Sequence, residues 1–169
     1  MASIAQRNAA QRNGPQRNGA RSRYYIPVFG RLYDGLGDVA WLLLRLVVGF
    51  SLVPHGMQKL FGAFNGPGMA RVAANFAQQG FNPPTLFAWA VALTELVGGT
   101  LLAIGLFTRP AALAITIFLG TAVTVHYGRG FFWTAGGFEF PLMWAVAALF
   151  FLIRGGGPLS IDRALSREF

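Results

Sequence analysis

Arg45, His55, Lys59, Glu95, His126 and Glu139 are ionisable side chains that stand inside, or at the ends of, stretches otherwise built from Leu, Val, Ala, Phe and Gly. A carboxylate and imidazoles can move protons, a cationic side chain can hold a carboxylate or a carbonyl, and two histidines with an acid can bind a metal. An ionisable group at bilayer depth costs about 2.5–3.5 kcal/mol on insertion scales, so each is expected to face the interior of a bundle and to have a partner there. Arg45 and Glu95 lie deepest and carry opposite charges, which predicts an ion pair between them. Their depths differ, however: at 1.5 Å per residue Arg45 sits about 9 Å and Glu95 about 16–18 Å from the same edge.

On a helix Gly49, Gly56 and Lys59 fall within about 40° of Arg45, and His55 within about 80°, making one broad polar and small stripe. Ala92 and Gly99 share a face with Glu95, and Thr116, Gly120 and Thr124 form a further small-residue stripe. Such faces predict close helix packing at Gly49, Gly56, Ala92, Gly99 and Gly120. His55 and His126 fall at a common depth of about 24 Å, with Glu139 near the same level. That leaves a ligand-contacting or proton-active cluster and ordinary helix-end hydrogen bonding both open. Three residues on separate helices have no spacing that specifies a metal, and no metal site is assigned. No phosphate loop, nucleophile elbow or dinucleotide fingerprint occurs, so no catalytic residue is assigned either.

The elements that must position these residues are apolar spans. The chain has 169 residues, 54% hydrophobic and only 12% charged, against roughly a quarter charged in soluble domains, and this predicts an integral membrane protein. Four segments reach or approach the ~20 residues needed to cross the hydrocarbon: about 39–60, 85–107, 110–128 and 140–154. Pro110 and Pro141 suit first helical turns, whereas Gly105 and Gly155 suit helix ends. Between the first two spans, "GPGMARVAANFAQQG" places Met69, Val72, Ala73 and Phe76 at helical spacing, which predicts a short amphipathic helix over 67–79 lying in the interface. The expected fold is an all-α integral membrane bundle of four transmembrane helices, with an interfacial helix between the first and second.

Residues 1–38 form an Arg/Gln/Asn-rich tail with a juxtamembrane stretch, 39–165 the membrane domain, and 166–169 the C-terminal end. The tail repeats "QRN" three times and lacks the apolar residues to fold alone. Arg7, Arg12, Arg17, Arg21, Arg23 and Arg31 equip it to bind anionic lipid or a protein partner. The net charge of +8 belongs to residues flanking apolar spans, which points to lipid headgroups and topology rather than to nucleic acid. Ten of the fourteen Lys and Arg residues, the six above with Arg109, Arg154, Arg163 and Arg167, fall on one side. Both termini are therefore expected in the cytoplasm, with the aromatic stretch "GFFWTAGGFEF" on the outer face. Zero cysteines exclude disulfides, thiol relays and cysteine-ligated clusters.

The phrases "RLVVGFSLVPHGMQKLFG", "ELVGGTLLAIGLFTRPAAL", "GGFEFPLMW" and "GGGPLSIDRAL" occur in this order across about residues 39–165. In these the chain resembles the DoxX family of small bacterial membrane proteins. The resemblance implies a four-helix bundle in the cytoplasmic membrane and puts Arg45, His55, Gly56, Lys59, Glu95, Gly99 and Arg109 on motif positions. It also brings a link to redox systems, since related proteins are associated with a thiosulfate:quinone oxidoreductase and with membrane oxidoreductase complexes. Two functions follow as expectations. The first is an accessory subunit of a larger membrane complex serving electron transfer or energy transduction. The second is a quinone-interacting oxidoreductase subunit using Arg45, Glu95, His55 and His126. A carrier is disfavoured, because no span is broken at its centre and no internal repeat is evident.

Overall fold

The structure, a computed structural model, describes residues 27–167. The chain divides into two units between Leu36 and Gly37, and all packing described below lies in the second. Among the described residues every regular element is helical: α1 Pro27–Phe61, α2 Gly68–Gln78, α3 Pro84–Ile104, α4 Thr108–His126, α5 Glu139–Arg154 and the single turn α6 Ile161–Ala164. Three of them, α1, α3 and α4, are long and apolar enough to cross a membrane. At 16 residues α5 is shorter, about 24 Å at 1.5 Å per residue. α1 is already helical at Pro27, well before the expected span, so the juxtamembrane stretch from that point on is helical.

Four helices share one core. Val48 and Leu52 of α1, Leu102 of α3, Ala112, Ile115 and Leu119 of α4, and Ala148 and Phe151 of α5 are buried against one another. The bundle is inverted relative to a soluble protein. Arg45, Glu95, Thr108, Ser160 and Asp162 are buried, while Leu43, Val47, Phe50, Trp89, Ile117, Val146 and Ile153 are exposed, a distribution that suits hydrocarbon rather than water.

The α1–α3 seam sets the geometry of the interior. A side chain at Gly49 would come within 2.5 Å of the Gly99 carbonyl and of the Ala103 nitrogen, and one at Gly56 within 2.6 Å of the Leu96 nitrogen. The two backbones touch there, which only glycine allows. Arg45, Gly49, Leu52, Gly56 and Lys59 repeat at four and three residues along α1, the spacing of a seam between helices crossing at a shallow angle. Gly120 differs from its expected packing role: it is exposed and a side chain there would meet nothing within 4 Å. α4 turns Ala112, Ile115 and Leu119 to the core, which leaves Gly120 about 100° round the helix from Leu119.

The α4–α5 connection is aromatic. Trp133 stacks on Phe140 at 5.3 Å, Tyr127 on Phe138 at 5.4 Å, and Phe131 meets Phe138 edge-on at 5.5 Å. Phe132 and Trp133 are exposed.

Candidate functional site

Lys59, in the last turn of α1, donates to both carboxylate oxygens of Glu95, at 2.7 and 2.6 Å. Glu95 is 5% exposed and Lys59 21%, so the acid is enclosed while the ammonium reaches the edge of the interior. Thr94–Gly98 forms a π turn within α3. The sequence carried no expectation of it; the Gly98–Gly99 pair at its end is the local signal that could have drawn attention there. Such a turn widens the helix by one residue and recurs at functional sites. Here it holds Glu95 on the side facing α1.

The pair forms part of the wall of a cavity of about 850 Å³. α2 and the segment after it contribute Val72, Phe76 and Phe81, α3 contributes Phe87, α4 Phe118, and α5 Phe140 and Trp144. Phe76, Phe81 and Phe87 form an aromatic cluster with ring centroids 5.1–6.3 Å apart. His55 and His126 both line the cavity, with Lys59 and Glu95. His126 bonds through Nδ1 to the Ala122 carbonyl at 2.8 Å, and His55 is exposed at the rim. Some lining side chains, Ile117 among them, are exposed on the outside of the bundle, so the cavity is a cleft open between helices. An apolar, aromatic-walled space with a few convergent polar groups is the usual form of a small-molecule site.

Arg45 is 1% exposed, but its partner is not Glu95, and the expected pair is corrected on both sides. Its Nε donates to the Ala103 carbonyl at 3.1 Å, Nη1 to the Gly156 carbonyl and Nη2 to the Leu159 carbonyl at 2.6 Å. The guanidinium thus gathers the end of α3 and the segment after α5. Gly105, at φ +72°, makes room for it: a side chain there would lie 2.6 Å from Nη1. Asp162 completes this end by accepting from the backbone nitrogens of Phe107 and Thr108 at 2.8 and 2.9 Å, where the first turn of α4 needs acceptors and favours negative charge. The depth difference read from the sequence is the physical reason for the correction. Arg45 stays at its own end, and Glu95 is reached from the far end of α1 by Lys59.

Glu139 accepts from the backbone nitrogen of Trp133 at 3.1 Å and so fastens the aromatic connection. Among the described residues no group of three His, Asp or Glu side chains is placed to hold a metal. Ala92 is fully buried. Arg109 lies in the first turn of α4. Arg7, Arg12, Arg17, Arg21 and Arg23, with the expected docking of the tail, lie outside the described residues; Arg31 falls in α1. Asp162 and the carbonyls of Gly156 and Leu159 were missed as interior partners. The signal for Asp162 is "SID" after a glycine run, since Ser160 caps α6 by accepting from the Arg163 nitrogen at 3.3 Å.

A family model described as DoxX matches residues 40–128, just over half of the chain. An uncharacterised membrane protein of Mycobacterium tuberculosis is 30% identical over 154 residues, covering 84% of this chain and 91% of that protein. An uncharacterised protein of Haemophilus influenzae is 29% identical over 140 residues, covering 80% and 90%. A Bacillus subtilis protein named provisionally as an oxidoreductase, CatD, is 28% identical over 126 residues, covering 74% and 86%. No solved structure matches.

Proposed function

Since the chain belongs to the DoxX family, we propose that it is a four-pass protein of the bacterial cytoplasmic membrane that binds a quinone-class ligand as a subunit of an electron-transfer complex. The cavity carries this reading. Its aromatic side walls suit a planar ring, its opening between helices suits entry from the lipid phase, and the third hydrogen of Lys59, left over from its two bonds to Glu95, suits a ring oxygen. The provisional oxidoreductase name of the B. subtilis relative supports a redox setting. Both termini lie in the cytoplasm by the distribution of arginine and lysine, and the moment of α2, with Val72 buried and Arg71 exposed, suits a helix in the interface. The arginine-rich segment before residue 39 supplies the surface for an acidic protein partner.

Purification of the full chain from its native membranes in mild detergent tests this reading. Quinone extracted in fixed stoichiometry, together with a co-purifying protein complex, is the expected result. In Ala90→Trp, which adds bulk at an exposed position of the cavity wall, the bound quinone should fall at least tenfold while the protein stays folded. Equal quinone content in parent and variant would show that the molecule is bulk lipid carry-over and would overturn the assignment.

A further inference from the structure

α3 and α4 separate at the π turn. On the side toward α6 the two are packed together: Thr94–Gly98 and Gly99–Ile104 both lie against α4, and a side chain at Gly98 would meet Ile115 at 3.6 Å. On the side toward α2, Pro84–Leu93 lies against α2 and makes little contact with α4. A π turn inserts a residue into a helix and is a recognised cause of a kink, and the separation starts there. From Ile115 at its closed end to His126, the gap runs about 16 Å along α4.

The edges of this gap belong to the cavity. Ala90 of α3 and Ala114, Ile117 and Thr121 of α4 line the cavity and are also exposed on the outside of the bundle; their spacing puts the three α4 residues on one face. The Thr121 hydroxyl is tied to the Ile117 carbonyl at 3.0 Å, so this edge suits hydrocarbon. Most of the other polar groups of the wall lie toward α2. Asn75 and Gln79 belong to α2 and its end, and Lys59 and His126 to the last turns of α1 and α4. Glu95 stands about 4.5 Å from the Gly98–Ile115 contact on the α2 side, and Ala114 about 1.5 Å from it on the α6 side.

We propose that the gap between α3 and α4 is the passage for a hydrocarbon tail, so that the site takes a tailed, membrane-borne ring compound sideways from the lipid. This rests on the assignment of the cavity to a quinone-class ligand. A ring beside the Lys59–Glu95 pair occupies the aromatic-walled part, where Val72 and the Phe76, Phe81 and Phe87 rings cover it toward α2. A chain attached to that ring passes between Ala90 and Ile117 into hydrocarbon, where it needs no polar partner. The alanines at positions 90 and 114 leave the width for it, and a bulky side chain there would obstruct the chain without reaching the ring.

The test titrates the full-length protein in mild detergent with a benzoquinone lacking a tail and with the same ring carrying a ten-carbon chain. The readout is quenching of tryptophan fluorescence, with Trp144→Phe as the control that the signal comes from the cavity. Ala114→Phe should weaken binding of the tailed compound at least tenfold and leave that of the tailless ring within twofold; partition of the tail into detergent is common to parent and variant and cancels. If Ala114→Phe does not fold, Thr121→Phe, at an exposed position of the same edge, makes the same comparison. A photoreactive group at the end of the chain should label residues of α3 and α4 that flank the gap. Equal losses for the two compounds, no loss for either, a parent that binds only the tailless ring, or labelling confined to α2 or α5 would overturn the passage while leaving the cavity a quinone-class site. Binding of neither compound to the parent would overturn the ligand assignment itself.

Discussion

Arg45→Leu should lower the stability of the protein in detergent by about 3–5 kcal/mol, seen as a fall of roughly 10 °C in the thermal midpoint and as new proteolytic sensitivity after Arg154. The change leaves the carbonyls of Ala103, Gly156 and Leu159 without their shared donor, and each unsatisfied buried carbonyl costs about 1–3 kcal/mol, less where water reaches it. Leucine fills only part of the space vacated by a fully buried guanidinium. Arg45→Lys should recover only part of the loss, because one ammonium on a flexible stem cannot address three carbonyls in the plane that a guanidinium offers. A midpoint within 2 °C of the parent for Arg45→Leu would mean that the segment after α5 is held by other contacts.

Lys59→Met should cost about 3 kcal/mol, because it leaves Glu95 without a partner in an enclosed site; truncating one member of a buried pair typically costs about 3–5 kcal/mol, and the partial exposure of Lys59 puts it at the low end. Lys59→Met with Glu95→Gln together should be milder than the sum of the single changes by about 1–2 kcal/mol. Arg45→Leu with Glu95→Gln makes the opposite comparison. Arg45 contacts α3 at Ala103, eight residues from Glu95 and therefore about 12 Å along the helix. The effects of those two changes should add to within about 0.5 kcal/mol. Thermal unfolding of the two sets of variants decides between the partners. Strong coupling of Arg45 to Glu95, with none of Lys59, would overturn the geometry described for the interior.

A local pattern sufficed for much of this molecule. Runs of apolar residues broken at Gly105, Pro110, Pro141 and Gly155 marked the bounds of α3, α4 and α5 to within a few residues, since a proline in a first turn and a glycine at positive φ act through the chain next to them, whereas α1 is helical from Pro27, well before its expected span. The 3.6-residue period placed Arg45, Gly49, Gly56 and Lys59 on one face of α1 before any partner was known. That face touches α3. The same reasoning misplaced Gly120, because a stripe of small residues shows where a backbone could approach and not whether one does.

What the sequence by itself determined is therefore the set of helices, the apolar exterior, the family resemblance and the residues obliged to be inside. The tertiary structure alone decided who meets whom. Periodicity fixes a residue's angle about its own helix axis, whereas a contact between helices depends also on their relative offset along that axis. In the interior that offset is set by the touching backbones at Gly49 and Gly99. It carries Glu95 to Lys59 and leaves Arg45 at the opposite end. The partners of Arg45 are main-chain carbonyls, and every residue has one, so no choice of side chain announces them. The cavity is of the same kind: its rings come from four helices and a connecting segment, and only packing brings them round a common space.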